Sequence, residues 1–384
     1  MERTARLNQR ARKWVFAGLR IVVCVAALAY VLHGVTVHDH VTLKDGKLLR
    51  LLELNEDAHT ITVEEVDGAR AVLPSADVAT KDDGEPDVTY GLVTAWRQSR
   101  KSLLLLAVAI FAPVTFLQSL RFLFMFRAQA ITLSYWECVK LCFAGNFLNF
   151  ATPIGTTGGD VFKAYHVARH TERKTEALTT ILLDRFIGLG VLLLLVGIAI
   201  EVGAEDPYLR YVGHVINAGI VGAVLFVSLF FSDRIRERWL PTGLVSRIPL
   251  EQQIRRVDAA TRRLLRHIPC FGGAVLCTLV LQFLALSSVV LASYALQMNF
   301  GESKVYDYYA VIGSGVVVAA IPISPQGLGT SEAVYRKFML GTHGTLSQIL
   351  CMAMAVRLVN LCWSLPGALV ALTGGYKLEP SEED

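Results

Sequence analysis

Six apolar stretches, each at least 20 residues long, constrain this chain more than any other feature: Trp14–Val35, Leu103–Phe126, Ala177–Ile200, Val212–Phe231, Pro269–Leu296 and Leu346–Leu372. A bilayer core of about 30 Å takes roughly 20 apolar residues of helix, so each stretch is long enough to cross it. With 53% hydrophobic and 18% charged residues over 384 positions, the chain also carries more apolar surface than one water-soluble core absorbs. The fold class expected is therefore an all-α polytopic membrane protein.

Two more apolar segments, Cys138–Tyr165 and Val305–Leu340, are broken in matching ways. The first reads Ala151-Thr-Pro-Ile-Gly-Thr-Thr-Gly-Gly-Asp160, the second Ala320-Ile-Pro-Ile-Ser-Pro-Gln-Gly-Leu-Gly-Thr-Ser-Glu332. Each has Pro-Ile, then glycines, then a carboxylate at the opening of a short helix. Irregular backbone at membrane depth is tolerated only where protein or a water-filled cavity satisfies its polar groups, so a matched pair in the two halves points to a transport site. They are read as two re-entrant helix hairpins entering from opposite faces, an inverted repeat. The architecture expected is six full crossings plus these two hairpins.

Loop charges set the orientation. Arg3, Arg6, Arg10, Arg12 and Lys13 precede the first span and assign the N-terminus to the cytoplasm. Nine arginines between Asp233 and Ile268 face only four acids, which puts that loop inside, whereas Glu201–Arg210 has three acids and one arginine and falls outside. A full crossing by Cys138–Tyr165 would put the Arg-rich loop on the wrong side, so the charges favour a segment that turns back. The location expected is the cell (inner or plasma) membrane, with both termini cytoplasmic.

Domain boundaries follow: 1–35 the first helix with its basic leader, 36–98 an extracytoplasmic insertion, 99–375 the main transmembrane domain, and 376–384 a cytoplasmic tail. The insertion alternates short β-like runs, Val41–Gly46, Leu48–Leu54, Thr60–Val63 and Arg70–Leu73, with Asp-Gly turns. A small antiparallel barrel or sandwich, SH3-like among other forms, is expected. About 60 residues fold alone only marginally, so docking onto the membrane part is expected too. All seven cysteines fall in or beside apolar segments, which argues against structural disulfides and zinc, and His33, His38 and His40 read as surface histidines. No metal and no cofactor is expected.

Candidate chemistry lies in polar residues inside apolar segments, where an unpaired charge is costly and faces a partner or a cavity. Asp184 and Arg185 are adjacent, so they point to different sides of a helix and each pairs elsewhere. Arg357 and Asn360 share one face of the last span. Arg121, near the inner end of its span, reads as a side chain that snorkels to the interface, and Arg20 likewise. Asn146 and Asn149 precede the Pro153 break. Asp160 is placed to cap the helix carrying Lys163 and Arg169, as Ser331 and Glu332 are at the second break, with Arg336 a turn later. Free backbone donors at glycine-flanked helix starts suit a phosphate or carboxylate.

The run Thr-Pro-Ile-Gly-Thr-Thr-Gly-Gly-Asp-Val-Phe-Lys, the later Asp184-Arg185-Phe-Ile-Gly, the run Gly327-Leu-Gly-Thr-Ser-Glu332 and Arg357 together resemble the lysylphosphatidylglycerol synthase transmembrane family. This is the flippase-like module of the multiple peptide resistance factor, and the resemblance covers roughly Leu103–Leu372. It implies paired re-entrant helices around a cavity for a polar lipid headgroup. By motif position it makes Pro153, Gly158, Gly159, Asp160, Asp184, Arg185, Gly327, Gly329, Glu332 and Arg357 candidate substrate-binding residues, to which Lys163 and Asn360 are added from their placement. The aminoacyltransferase domain of the resistance factor has no counterpart before Asp384, so the chain is not expected to make an aminoacylated lipid alone. The outer insertion departs from the family core as well.

The function expected is a lipid translocase rather than an enzyme: a headgroup crosses between the hairpins while the tails stay in the bilayer. Arg185 and Arg357 would attract phosphate, while Asp160, Asp184 and Glu332 would pair with those arginines or with a cationic headgroup. Without a nucleotide-binding loop, movement would be downhill or ion-coupled. Two alternatives are an ion-coupled carrier of a small solute and a non-transporting accessory subunit of a lipid or glycan biosynthesis system. The partners expected are membrane lipids with anionic or zwitterionic headgroups, with cell-envelope biosynthesis enzymes and a second copy of the chain as candidates, and no nucleic acid.

Overall fold

The computed structural model describes residues 37–55, 60–64, 68–79, 88–151, 157–204, 206–230, 251–298, 305–321 and 324–372. The expected first span Trp14–Val35, Arg20, Cys24, Pro153, Pro322, the whole stretch between Phe230 and Glu251 and the tail lie outside these residues.

The insertion forms strands β1 (His40–Thr42), β2 (Leu48–Asn55), β3 (Thr60–Glu64), β4 (Arg70–Pro74) and β5 (Val88–Thr89), joined in one antiparallel sheet of order β4-β3-β2-β1-β5. Alternation explains its packing: Ile61 and Val63 turn to the same face of β3 and meet Val41, Leu49, Leu51 and Val88 in one small core. A register shift between Leu51 and Glu53 bulges β2. An isolated bridge from Val78 to Leu43 then draws the chain after β4 back over the end of β1 and curls the sheet. The sheet is tied to the helices through Asp39, whose carboxylate accepts the Gly91 N–H at 2.7 Å and the Thr94 hydroxyl at 2.9 Å. Thr94 lies on a helix the sequence reading did not anticipate, α1 (Leu92–Gln98), which packs against the last helix of the chain.

The remainder is helical: α2 (Lys101–Ala128), α3 (Tyr135–Ala151), α4 (Gly158–Arg169), α5 (Lys174–Gly203), α6 (Pro207–Phe230), α7 (Glu251–Arg266), α8 (Ile268–Ala295), α9 (Val305–Ala320), α10 (Thr330–Met339) and α11 (Leu346–Leu372). Among the described residues four of these are long and apolar enough to cross a membrane, namely α2, α5, α8 and, over Leu346–Val370, α11. They coincide with four of the six expected spans, and α6 covers the fifth to Phe230. The basic stretch read as a loop contains α7, an amphipathic helix whose Ala260 and Leu264 are buried against its neighbours.

Helix ends follow from proline chemistry. A residue preceding proline is pushed out of the helical region and proline donates no N–H. In keeping with this, α9 stops at Ala320, two residues before Pro322, and α3 is described as far as Ala151, where Pro153 follows in the sequence.

The packing pairs have a regular plan. α2 lies along α8, α3 along α11 and α9 along α5, with glycines allowing close approach. A Cβ at Gly367 of α11 would overlap the Phe143 carbonyl of α3, and one at Gly313 of α9 would overlap Val196 of α5. At one end of the bundle, Gln129 after α2 donates its amide to the Ala260 carbonyl at 2.7 Å, and Arg173 before α5 donates to the Gln129 carbonyl at 3.2 Å. At the opposite end, the Arg100 N–H donates to the Ala295 carbonyl at 2.7 Å and Gln348 donates to the Leu296 carbonyl at 3.1 Å. The pair α3–α4 opens at the first end and α9–α10 at the second.

Candidate functional site

α5 acts as the hub of the first half because Asp184 and Arg185 reach different helices. Asp184 faces α2, where Arg121 forms a close ion pair with it: Nη2 donates to Oδ2 at 2.8 Å, and Nε lies 2.6 Å from Oδ1 without a hydrogen-bond geometry. Arg121 Nη1 also reaches the Thr278 hydroxyl of α8 at 3.4 Å. Arg121 is only 5% exposed, so it is no snorkelling side chain. The correction has a simple cause. A carboxylate buried one helix away offers a guanidinium more than the distant interface does, because a close, charge-assisted hydrogen bond recovers part of the cost of desolvating both groups.

Arg185 turns the other way and pairs with Asp160 on α4. That contact changes the role expected for Asp160. It does not cap α4; the Gly159 N–H is taken by the Asn149 side chain of α3 at 2.8 Å. Gly158 opens the helix, and Gly159 lies so close to α3 that a Cβ would overlap the Gly145 carbonyl. Lys163, one turn into α4, is 1% exposed; its Nζ lies 3.8 Å from Asp160 Oδ1 and 4.9 Å from the Phe122 ring centre.

The second break is built with left-handed residues. Gln326, Gly327 and Gly329 have φ of 52°, 70° and 82°, and a Cβ at Gly327 would overlap Ala319. Glycine adopts this region without the penalty an L side chain meets. Here the carboxylate does cap: Glu332 Oε2 accepts the Gly329 N–H at 2.8 Å and the Ser331 hydroxyl at 2.9 Å. Its other oxygen is held by Arg357 of α11, through Nε at 3.1 Å and through Nη2.

Asp160–Arg185 and Glu332–Arg357 are each separated by 25 residues in sequence. One constant shift along the chain therefore carries the first pair onto the second, and it also carries Pro153 onto Pro325 and Gly155 onto Gly327. The two breaks touch through Gln326, whose amide donates to the Asn149 carbonyl at 3.0 Å.

Between them lies a cavity of about 440 Å³. Asp160, Lys163, Asp184, Arg185 and Asn360 line it, together with Arg121 and the amides of Gln118, Asn146, Asn149, Gln282 and Gln326. Phe111, Leu189, Leu281 and Trp363 supply apolar wall. Of the other sequence candidates, Gly158, Gly159, Gly327, Gly329, Glu332 and Arg357 frame the breaks without lining the cavity, and Pro153 lies outside the described residues. Arg357 and Asn360 thus part company: Arg357 holds Glu332, while Asn360 faces the cavity and donates to the Val356 carbonyl at 2.9 Å. The amides of Gln118, Gln282 and Gln326 were not singled out from sequence. Their signal was the cost of placing any carboxamide within an apolar run.

A space of this size with a few convergent polar groups on an apolar wall suits a small polar molecule or a headgroup. One buried acid–arginine pair, Arg121–Asp184, and a second whose arginine is exposed, Asp160–Arg185, stand beside a lysine and several amides and bring charge to the heart of an apolar helical bundle.

A comparison with curated proteins finds no match. The sequence model for the lysylphosphatidylglycerol synthase TM region matches residues 90–367, which takes in every helix from α1 to most of α11 and leaves the sheet outside it. The apolar helices, the two breaks and this match agree, and the chain belongs to the lysylphosphatidylglycerol synthase transmembrane region family.

Proposed function

We propose that the chain is a lipid translocase of the cell membrane, moving a lipid with a polar headgroup, or a lipid-linked precursor, across the bilayer without altering it chemically. The observation that carries this reading is the charged, amide-rich cavity between two helix breaks that touch, in a membrane protein of a lipid-associated family. In this reading α3–α4 and α9–α10 are re-entrant hairpins entering from opposite faces. The reciprocal packing of α3 on α11 and α9 on α5, and the equal spacing of the two acid–arginine pairs, support an inverted repeat. Six crossings then put the sheet outside and α7 against the cytoplasmic leaflet, in keeping with its arginines. A headgroup would slide in laterally, exchange water for the amides and charges of the cavity, and leave on the other side with its tails still in lipid.

Reconstitution tests the reading. In proteoliposomes holding lipids labelled on the headgroup, an impermeant quencher should reach more than the outer-leaflet share for at least one lipid class. If every lipid stays protected while a soluble solute enters, the chain is a solute carrier.

A further inference from the structure

The two halves of the cavity frame share an acid and an arginine 25 residues apart and differ in the side chain that follows the acid by three positions. The shift that carries Asp160 onto Glu332 carries Lys163 onto Tyr335. The correspondence is spatial too: each side chain lies against a glycine of the preceding helix, Lys163 where a Cβ of Gly145 would be and Tyr335 where a Cβ of Gly315 would be. One half therefore presents an ammonium where the other presents a phenol.

Charge bookkeeping makes that difference matter. In the second half Glu332 and Arg357 balance each other. In the first, Arg121 balances Asp184 and Arg185 balances Asp160. Lys163 is left over, so among the described residues the cavity wall holds three cations, Arg121, Lys163 and Arg185, against the two acids Asp160 and Asp184. Its side chain is 2% exposed, and its nearest carboxylate oxygen, Asp160 Oδ1 at 3.8 Å, is beyond hydrogen-bond distance, while the other oxygen of that carboxylate holds Arg185. A buried ammonium that shares its one nearby carboxylate with an arginine is incompletely balanced, and an anion arriving in the cavity relieves that cost.

Resting on the translocase reading, we propose that Lys163 is the charge-selecting residue of this cavity, and that the group it takes is a phosphodiester with one net negative charge and no balancing amine. A zwitterionic headgroup satisfies Lys163 but brings a second ammonium among three cations. A cationic one meets only repulsion there.

The test uses full-length protein in proteoliposomes with labelled phosphatidylglycerol (net negative), phosphatidylcholine (neutral) and ethylphosphatidylcholine (net positive). Wild type should move phosphatidylglycerol faster than the other two by about tenfold or more, Lys163→Met should lose that advantage, and Lys163→Arg should keep it. Equal rates for the three lipids in wild type, or a Lys163→Met variant that slows all three alike, would overturn the proposal. Binding decides separately, through thermal unfolding of the purified protein with each lipid or with glycerol phosphate. A rise in Tm with phosphatidylglycerol alone, lost in Lys163→Met, supports the assignment even if no lipid moves, an outcome that overturns only the translocase reading. The same Lys163-dependent rise with glycerol phosphate keeps the anion site and assigns it to a soluble phosphate ester. No anion-dependent rise at all overturns the site. Lys163→Met should itself melt no lower than wild type, since it removes a buried charge; a lower Tm without ligand marks Lys163 as a structural partner of Asp160 and overturns the proposal.

Discussion

The side-chain amide of Gln326 donates to the backbone carbonyl of Asn149 at 3.0 Å, so a residue of the second break grips the last turn of the helix before the first. Gln326 holds a left-handed φ of 52° to do so, a conformation that an L residue keeps only when its surroundings enforce it. The tie joins two segments far apart in sequence across the floor of the cavity.

Removing that tie should be measurable. Gln326→Ala loses the hydrogen bond and keeps the backbone strain, which should cost about 1 kcal/mol. Gln326→Gly loses the same bond but relaxes the left-handed residue, so its Tm should lie above that of the alanine variant. Equal melting of wild type and Gln326→Ala would mean that the contact contributes nothing.

The arginines should separate by burial. Arg121→Ala leaves Asp184 buried without a counter-charge, a loss of about 3–5 kcal/mol that should appear as poor yield, and Arg121→Met combined with Asp184→Leu should restore most of it. Arg185, with 44% of its side chain exposed, should be dispensable for folding, so Arg185→Ala should insert normally and lose headgroup transfer. Arg357→Ala should fall between the two, because Glu332 retains the Gly329 N–H and the Ser331 hydroxyl. Normal yield from Arg121→Ala would contradict the pairing described for Asp184.

Two glycines of the cavity region should behave oppositely. A methyl at Gly159 would overlap the backbone of Gly145, so Gly159→Ala should force α4 away from α3 and lower the yield of folded protein. At Gly188 the nearest atom to an added Cβ is Arg121 Nη1 at 3.6 Å, an ordinary contact, and Gly188→Ala should melt close to wild type. Size-exclusion profiles and thermal unfolding in detergent compare the two.

Much of this architecture was legible because the forces that build it act locally. Apolar runs fixed the long helices α2, α5, α8 and α11, and the proline after Ile321 fixed the place where α9 stops. Adjacent charges at Asp184 and Arg185 had to diverge because neighbours on a helix are about 100° apart. What was missed depends on facing. Nothing along α2 tells whether Arg121 turns to the interface or to a neighbouring helix, and that choice is settled by Asp184, which lies far away in sequence. Asp160 looked like a helix cap for the same reason, until Arg185 claimed it and Asn149 took the Gly159 N–H. The equal 25-residue spacing of Asp160–Arg185 and Glu332–Arg357 was present in the sequence from the start. Matching the breaks by their Pro-Ile strings aligned Pro153 with Pro322 and hid it; matching them by acid and arginine aligns Pro153 with Pro325.

Orientation can be tested by labelling. Ala76, exposed in the turn after β4, and Glu172, exposed between α4 and α5, belong to opposite sides in the six-crossing arrangement. Ala76→Cys should react with an impermeant thiol reagent on intact cells, and Glu172→Cys only after the membrane is opened. Reaction of both from outside would invalidate the arrangement.

The central claim is that a lipid headgroup occupies the cavity between the two breaks. A phospholipid with a photoreactive group on its headgroup, added to the reconstituted protein and irradiated, tests it directly once the crosslinked peptides are mapped. The account predicts adducts on cavity residues such as Gln118, Asn146 and Asn360, diminished in Lys163→Met. Adducts confined to exposed outer positions such as Leu105, Phe186 and Leu276, with none in the cavity, would contradict it.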